Sequence, residues 1–112
     1  QRVEFRVGSA DANPYLAAAA VMGAGLLGIE EKLNLSDPIT GSAYEKQDAL
    51  AEELQFPTNL RDSIQNLKAS KAASSLFGKE FVDHFIKTRE WEVREYEKAV
   101  TDWQLKRYLE II

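Results

Sequence analysis

The stretch Arg2–Val7, which reads RVEFRV, together with the helix start that follows it, decides how the chain is organised. Polar and apolar residues alternate strictly, as in a half-buried β-strand. Arg2, Glu4 and Arg6 would then share one face, with a carboxylate between two guanidinium groups. This face suits either the binding of a metal-bound polyphosphate or a solvated sheet surface with weak cross-strand ion pairs. Three alternating charges are common, so the pattern alone favours the solvated surface.

A helix start lies six residues further along the chain. Asn13 is a good N-cap and Pro14 a good first helical residue. The helix body, Tyr15–Ile29, carries no charged residue, but it is shorter than the roughly 18–20 residues that a bilayer requires. It is also rich in alanine and glycine, and its glycines need tight packing to offset their low helix propensity. The sequence therefore predicts a fully buried helix rather than a membrane span.

The remainder of the chain has the pattern of a helical protein. Apolar spacing and capping residues predict further helices over Gln47–Leu54, Leu60–Ala69, Ser70–Phe77 and Lys79–Val100, and a last one capped by Thr101 with Gln104 in a capping box. The predicted fold class is α+β and mainly helical, with one N-terminal strand followed by about five helices.

Composition narrows the functional classes. The chain has 112 residues, enough for one small domain, and its net charge of −4 argues against a nucleic-acid binder. Cysteine is absent and His84 is the one histidine, so neither a thiolate nor a His-rich metal site can be built.

His84 is expected to be a packed or half-exposed helix residue. Trp91 and Trp103 are expected in the core or at a subunit contact. The charged face around Glu90–Lys98 is expected to be solvated or to lie at an interface. Because the chain opens directly in a strand at Gln1, we expect it to be a piece of a larger polypeptide.

Two separate stretches carry a family resemblance. Arg2-x-Glu4-x-Arg6 with Ala12–Leu16 and the Ala/Gly-rich helix resembles the C-terminal part of the glutamine synthetase catalytic domain. Val100–Leu105 with Tyr108 and Leu109 resembles the closing helix of bacterial members of that family. The resemblance implies that residues 1–112 form the C-terminal segment of such a domain.

The resemblance also implies a role for each charged residue of the first stretch. Glu4 corresponds to the glutamate that binds a catalytic Mg²⁺ or Mn²⁺, and Arg2 to the arginine that contacts the ATP phosphates. Arg6 corresponds to the catalytic arginine that holds the substrate glutamate and the transferred phosphoryl group. The implied activity is an ATP-dependent ligation of glutamate and ammonia through γ-glutamyl phosphate. A cytoplasmic homo-oligomeric ring, without nucleic-acid or membrane partners, is implied as well.

Some features of the chain depart from the family pattern. The family's other metal ligands have no counterpart in this sequence, so the chain by itself is expected to be inactive. The loop Val7–Ala12 is closer to the branch that joins glutamate to putrescine or another amine, which is one alternative; a non-catalytic structural or assembly relative is another. Tyr44 lies where some bacterial members carry an adenylylated tyrosine. Its neighbours do not match that sequence, so it is interpreted as an ordinary loop residue.

Overall fold

A computed structural model describes residues 1–2, 4–46, 49–51, 54–109 and 111. Within these residues the chain forms six helices: α1 (Pro14–Glu30), α2 (Ala43–Lys46), α3 (Leu60–Ala69), α4 (Lys71–Phe77), α5 (Lys79–Lys98) and α6 (Asp102–Tyr108). They belong to two compact units, a first unit over Gln1–Ala43 and a second unit over Tyr44–Ile112. The prediction of a mainly helical chain is confirmed.

The predicted N-terminal strand is not supported. Residues 1–2 and 4–7 have no regular secondary structure, and Val3 lies outside the described residues. A strand is stabilised by hydrogen bonds to a neighbouring strand, and no described segment of the chain supplies one. The alternation of polar and apolar residues therefore stays a local property of the extended chain, in which Glu4, Phe5, Arg6 and Val7 are all exposed.

Helix α1 begins and ends where the sequence predicts. The Asn13 side-chain oxygen accepts hydrogen bonds from the backbone N–H groups of Tyr15, at 3.0 Å, and Leu16, at 3.2 Å. Pro14 takes the first helical position, where its missing N–H costs nothing. The helix ends after Glu30, with Glu31 as its C-cap and Lys32 following at a positive φ of 53°.

The expectation that α1 is fully buried is wrong for this chain. Gly23 is its one buried residue, whereas Tyr15 is 85% and Ile29 is 76% exposed. Helix α1 is apolar on every side and is the only long helix described in the first unit, so nothing in that unit covers it. None of the helices in the described part of the chain is long and apolar enough to cross a membrane.

The second unit has a small hydrophobic core, formed where α5 packs against α3 and α4. The core side chains are Ile64 from α3 with Val82 and Ile86 from α5, all less than a tenth exposed. The partly buried hydrophobic residues packed around them are Leu67, Ala73, Phe77 and Val93. The apolar residues of α5 that face α3 and α4 are thus Val82, Ile86 and Val93, whereas Phe81 and Tyr96 are exposed.

A single residue separates α3 from α4, and another separates α4 from α5. The Ser70 backbone N–H bonds the Leu67 carbonyl at the end of α3, while its hydroxyl accepts from Ala73 N–H at the start of α4. Gly78 has a φ of 81° between α4 and α5, a conformation that favours glycine. The predicted capping box forms at Thr101, whose backbone N–H donates to Gln104 Oε1 at 2.8 Å.

Two of the predicted helices agree with the structure only in part. Half of the predicted helix Gln47–Leu54 lies outside the described residues, and the structure has the four-residue helix α2 directly before it. Helix α5 ends at Lys98, two residues before its predicted end, because Ala99 is already extended.

Candidate functional site

Glu4 and Arg6 lie side by side on the N-terminal segment. Arg6 Nε is 3.4 Å from Glu4 Oε1, and the two side chains are 82% (Arg6) and 68% (Glu4) exposed. The sequence prediction that these two side chains share one face is consistent with this contact.

Arg2 is also exposed, and it takes part in none of the ion pairs found among the described residues. The structure thus brings together two of the three predicted site residues, Glu4 and Arg6.

Glu4 has the right chemistry for a hard cation, since Mg²⁺ and Mn²⁺ prefer oxygen ligands. The residues that the structure describes contain no group of three or more His, Cys, Asp or Glu side chains placed to hold a metal ion. Glu4 therefore fits as one ligand of a magnesium or manganese site, and further ligands are required to complete that site.

A short turn connects this segment to α1. Ser9 Oγ donates a hydrogen bond of 2.5 Å to Asp11 Oδ1, and Ala12 N–H bonds the Ser9 carbonyl at 3.1 Å. The bond from Ser9 lowers the pKa of the Asp11 carboxyl, because it favours the ionised form. Together with the Asn13 cap, this turn sets where α1 starts after Arg6. Residues 8–12 were predicted only as a loop, although Ser-x-Asp is a spacing at which a hydroxyl reaches a carboxylate.

The charged face of α5 contacts α3 through two ion pairs. Lys68 Nζ is 2.6 Å from Glu90 Oε1, and Arg61 pairs with Glu97. The hydrogen bond from Lys68 lowers the pKa of the Glu90 carboxyl. Glu90 and Glu97 thus contact α3 within the chain, with Glu97 still more than half exposed, and an interface with another subunit stays a prediction. Helical periodicity alone could not identify the partner residues, because they lie on another helix.

The isolated histidine and the two tryptophans do not form a site. His84 is exposed on α5, beyond the half-exposed position that the sequence predicts. Trp91 and Trp103 are both more than half exposed, so the core interpretation is wrong for them. Trp103 contacts Tyr108 edge-on, with 6.0 Å between ring centroids. A role of these tryptophans in subunit contact stays a prediction.

A groove with a mainly apolar lining lies between α3 and α5. Leu60, Val93 and Tyr96 line it, with Asn59, Arg61, Glu92 and Glu97 at its edges. It contains none of the residues that the sequence predicts for a metal or phosphate site. The backbone of Tyr44 lies in α2, and its side chain is outside the described part of the chain.

Comparison with known proteins identifies the family of the chain. Residues 1–108 match the family model described as glutamine synthetase, catalytic domain. The chain belongs to the glutamine synthetase family. The match includes the segment of Arg2, Glu4 and Arg6 as well as all six helices, so the resemblance that the sequence indicates at its two ends is confirmed over nearly the whole chain.

Curated relatives show the range of this family. The chain is 47% identical to type-1 glutamine synthetase 2 of Dictyostelium discoideum over 99% of its own length and 21% of that protein. It is 41% identical to a glutamate–isopropylamine ligase of a Pseudomonas species, over 99% of the chain and 24% of the relative. Identity to the gamma-glutamylethanolamide synthetase of Streptomyces coelicolor is 39%, over 97% of the chain and 22% of the relative. The chain thus spans about a fifth to a quarter of the length of these relatives.

Proposed function

We propose that residues 1–112 form the C-terminal segment of the catalytic domain of an ATP-dependent glutamate–ammonia ligase. The full-length enzyme would form glutamine through a γ-glutamyl phosphate intermediate. The observation that carries this proposal is the match of residues 1–108 to the catalytic-domain family model, because it includes the Arg2–Arg6 segment. Ligase assignments of the relatives, for both ammonia and amines, support the reaction class.

Each charged residue of the segment has a proposed role. Glu4 would be one carboxylate ligand of a Mg²⁺ or Mn²⁺ ion, which supplies positive charge next to the ATP phosphates when it is bound. Arg2 would bind ATP phosphate oxygens. Arg6 would hold the substrate glutamate and the phosphoryl group that is transferred to it.

The physical argument for two arginines is electrostatic. Phosphoryl transfer depends mainly on positioning and on neutralising negative charge that spreads over the moving group. Guanidinium is permanently charged and presents its donors in a planar fork that matches carboxylate and phosphate oxygens. Arg2 and Arg6 are both exposed, which leaves these donors accessible to a ligand.

The chain alone is proposed to be inactive, because Glu4 is a single ligand and the described residues form no metal-binding group. The test is release of phosphate from ATP in the presence of glutamate and ammonia, measured for the isolated chain and for the full-length protein. We expect turnover only from the full-length protein. Turnover by the isolated chain would contradict the proposal.

A second candidate function is ligation of glutamate to an amine. Two relatives, at 41% and 39% identity, have names that specify isopropylamine as a substrate and γ-glutamylethanolamide as a product. The loop Val7–Ala12 also resembles the amine-ligase branch. The two functions are distinguished by kcat/KM of the full-length protein for ammonia, isopropylamine, ethanolamine and putrescine. An amine preferred over ammonia would establish the second function.

A non-catalytic assembly role is the remaining alternative. Arg2, Glu4 and Arg6 are all present, which favours an enzyme. If the other metal-ligand positions of the full-length protein are not carboxylate or histidine residues, the enzyme proposal fails. We also propose that the full-length protein is a cytoplasmic homo-oligomeric ring, for which light scattering after gel filtration would measure the subunit number.

A further inference from the structure

We infer that helix α1 is the surface on which the rest of the full-length protein docks, and that the docked segment comes closest to α1 at Gly25. The docked segment belongs to the same polypeptide and lies outside residues 1–112. The docking rests on the proposed function, which makes this chain one segment of a larger catalytic domain. It adds the surface that joins this segment to the remainder of the domain.

One face of α1 is apolar and uncovered. Ala18, Met22, Gly25 and Ile29 follow one another at intervals of three or four residues, so they lie on the same side of the helix. All four are exposed, Met22 at 70% and Ile29 at 76%, and we call them the open face. A single exposed apolar side chain is ordinary, but a contiguous apolar face indicates a contact surface.

The other sides of α1 indicate what kind of partner covers it. Tyr15–Ile29 carries no charged residue, so the helix has no charged side to turn toward water. A helix that docks on another subunit, or that lies on a membrane surface, keeps such a polar side. A helix that is apolar all round is covered all round, as in the interior of a larger domain. This favours the same domain as the occupant over a second copy or a lipid surface.

The relatives show that a covering segment of this kind is available. Residues 1–112 span 21%, 24% and 22% of the three relatives described above, so most of each relative lies outside the matched part. A segment of the same polypeptide is tethered to α1, which gives it a high effective concentration at the open face. A second copy of the chain has no such advantage.

Gly25 indicates where the covering segment comes closest. It lies inside α1, and the positive-φ glycines of the described residues are Gly41 and Gly78. Beyond its chain neighbours and the backbone of its own helix, no atom lies within 4 Å of the position that a Cβ of residue 25 would take. Neither conformation nor packing in this chain therefore requires a glycine, although glycine destabilises a helix relative to alanine. Close approach of another backbone is a reason for glycine that the rest of the protein would supply.

Thiol labelling tests whether the open face is covered. Residues 1–112 contain no cysteine, so Met22→Cys places one reporter there, and mass spectrometry of its peptide follows the reaction in the full-length protein. We expect labelling about 100-fold slower in the native protein than in urea, because a covered thiol reacts only after local opening. His84→Cys on α5, where the side chain is exposed, is the control and should react much faster than Met22→Cys. Labelling of Met22→Cys as fast as in urea would overturn the docking.

Two further samples separate the possible occupants. In residues 1–112 alone, Met22→Cys should react nearly as fast as in urea, because the open face is exposed. Slow labelling there would show that the chain covers itself, which would overturn the docking. Subunits of the full-length protein that are dissociated by dilution, and still folded by circular dichroism, should stay protected. Protection that is lost on dissociation would assign the cover to a second copy and would also overturn the docking.

Gly25→Ala is a second test, which depends on the direction of its effect. On an uncovered helix the added methyl group is stabilising, whereas against a closely packed segment it is destabilising. We expect the thermal midpoint of the full-length protein to fall by a few degrees. A rise would overturn the close approach at Gly25.

Phosphate release from ATP with glutamate and ammonia, measured on the full-length protein, separates this docking from the proposed function. Turnover by wild type together with unprotected Met22→Cys would overturn the docking alone. Protected Met22→Cys without any turnover by wild type would support the docking and contradict the ligase activity.

Discussion

Lys68 on α3 and Glu90 on α5 form an ion pair, with 2.6 Å between Nζ and Oε1, across the interface that contains the core of the second unit. Both side chains are partly shielded, at 40% and 35% exposure. The pair lies on the same two helices as Ile64, Val82 and Ile86, so it joins elements that the hydrophobic contacts already hold together. A cross-helix pair of this kind stabilises tertiary structure, whereas a pair within one helix stabilises only that helix.

Glu90→Gln is therefore expected to lower the urea midpoint for unfolding of the chain. Glu95→Gln is the matched control, because Glu95 pairs with Lys98 on the same helix at 2.7 Å. We expect a larger shift for Glu90→Gln than for Glu95→Gln, measured by circular dichroism at 222 nm in low salt. Equal shifts in the two variants would show that the connection to α3 contributes nothing beyond a local pair.

The Lys68–Glu90 pair predicts that the stability of the folded chain depends on pH. Lys68 holds the pKa of Glu90 below its ordinary value of 4.5, so the unfolded chain binds a proton at a higher pH than the folded chain. The contribution of Glu90 to stability is complete above that ordinary value and is lost as the pH falls through the lowered one. We expect the urea midpoint of wild type to fall more steeply on acidification below 4.5 than that of Glu90→Gln. Parallel curves would contradict the assignment.

Because the core is small, truncating one of its side chains is expected to lower the free energy of unfolding strongly. Ile64 is 4% exposed between α3 and α5. Ile64→Ala is expected to lower the free energy of unfolding by about 2–5 kcal/mol, from lost burial and the cavity that remains. Ile29→Ala is the control, because Ile29 is also helical but exposed, and its effect should stay within about 0.5 kcal/mol. Urea denaturation of both variants checks the difference, and similar values would show that Ile64 is not a core residue.

The N-cap of α1 predicts a local effect. Asn13→Ala removes the acceptor of the Tyr15 and Leu16 amides, which is expected to cost about 1 kcal/mol of local helix stability. Amide hydrogen exchange in the first turn of α1 should become faster, while exchange in α5 should not change. Asn34→Ala, a change of the same residue type after the end of α1, is the control and should leave the first turn protected.

The proposed roles of the two arginines predict different kinetic defects in the full-length protein. Arg6→Lys should lower kcat/KM for glutamate about 10–100-fold, since a lysine cannot form the charged two-point contact of a guanidinium. Arg2→Lys should act mainly through ATP. Arg94→Lys on α5 is a charge-conserving control and should have wild-type kinetics. If Arg6→Lys impaired ATP and Arg2→Lys impaired glutamate, the two roles would have to be exchanged.

Local signals in the sequence predict most helix boundaries. Such signals satisfy or interrupt backbone hydrogen bonds within a few residues. The structure has helix ends at Asn13 with Pro14, at Ser70, at Gly78 and at Thr101 with Gln104. The roles of the charged residues in the N-terminal segment come from the family resemblance and stay a proposal. The family match includes Arg2, Glu4 and Arg6, whereas their spacing alone favours a solvated surface.

Structural features that depend on a partner segment were predicted less well. The alternation in Arg2–Val7 indicates a strand, but a strand exists only with a neighbour to pair with, and the described residues supply none. Likewise the apolar composition of Tyr15–Ile29 indicates burial, but burial requires a surface that covers the helix. The sequence pattern indicates that a segment favours burial or strand pairing. It does not show whether the covering surface or the neighbouring strand is present.

The sequence by itself determined the family, the helical character of the chain and the order of charges in the Arg2–Arg6 segment, because each of these depends on residue type and short spacing. Tertiary structure decided which charged residues of α5 pair with α3, and that Ile64, Val82 and Ile86 form the core. It also showed Glu4 and Arg6 in contact. These features depend on distances between side chains, and those distances are set only when the chain has folded.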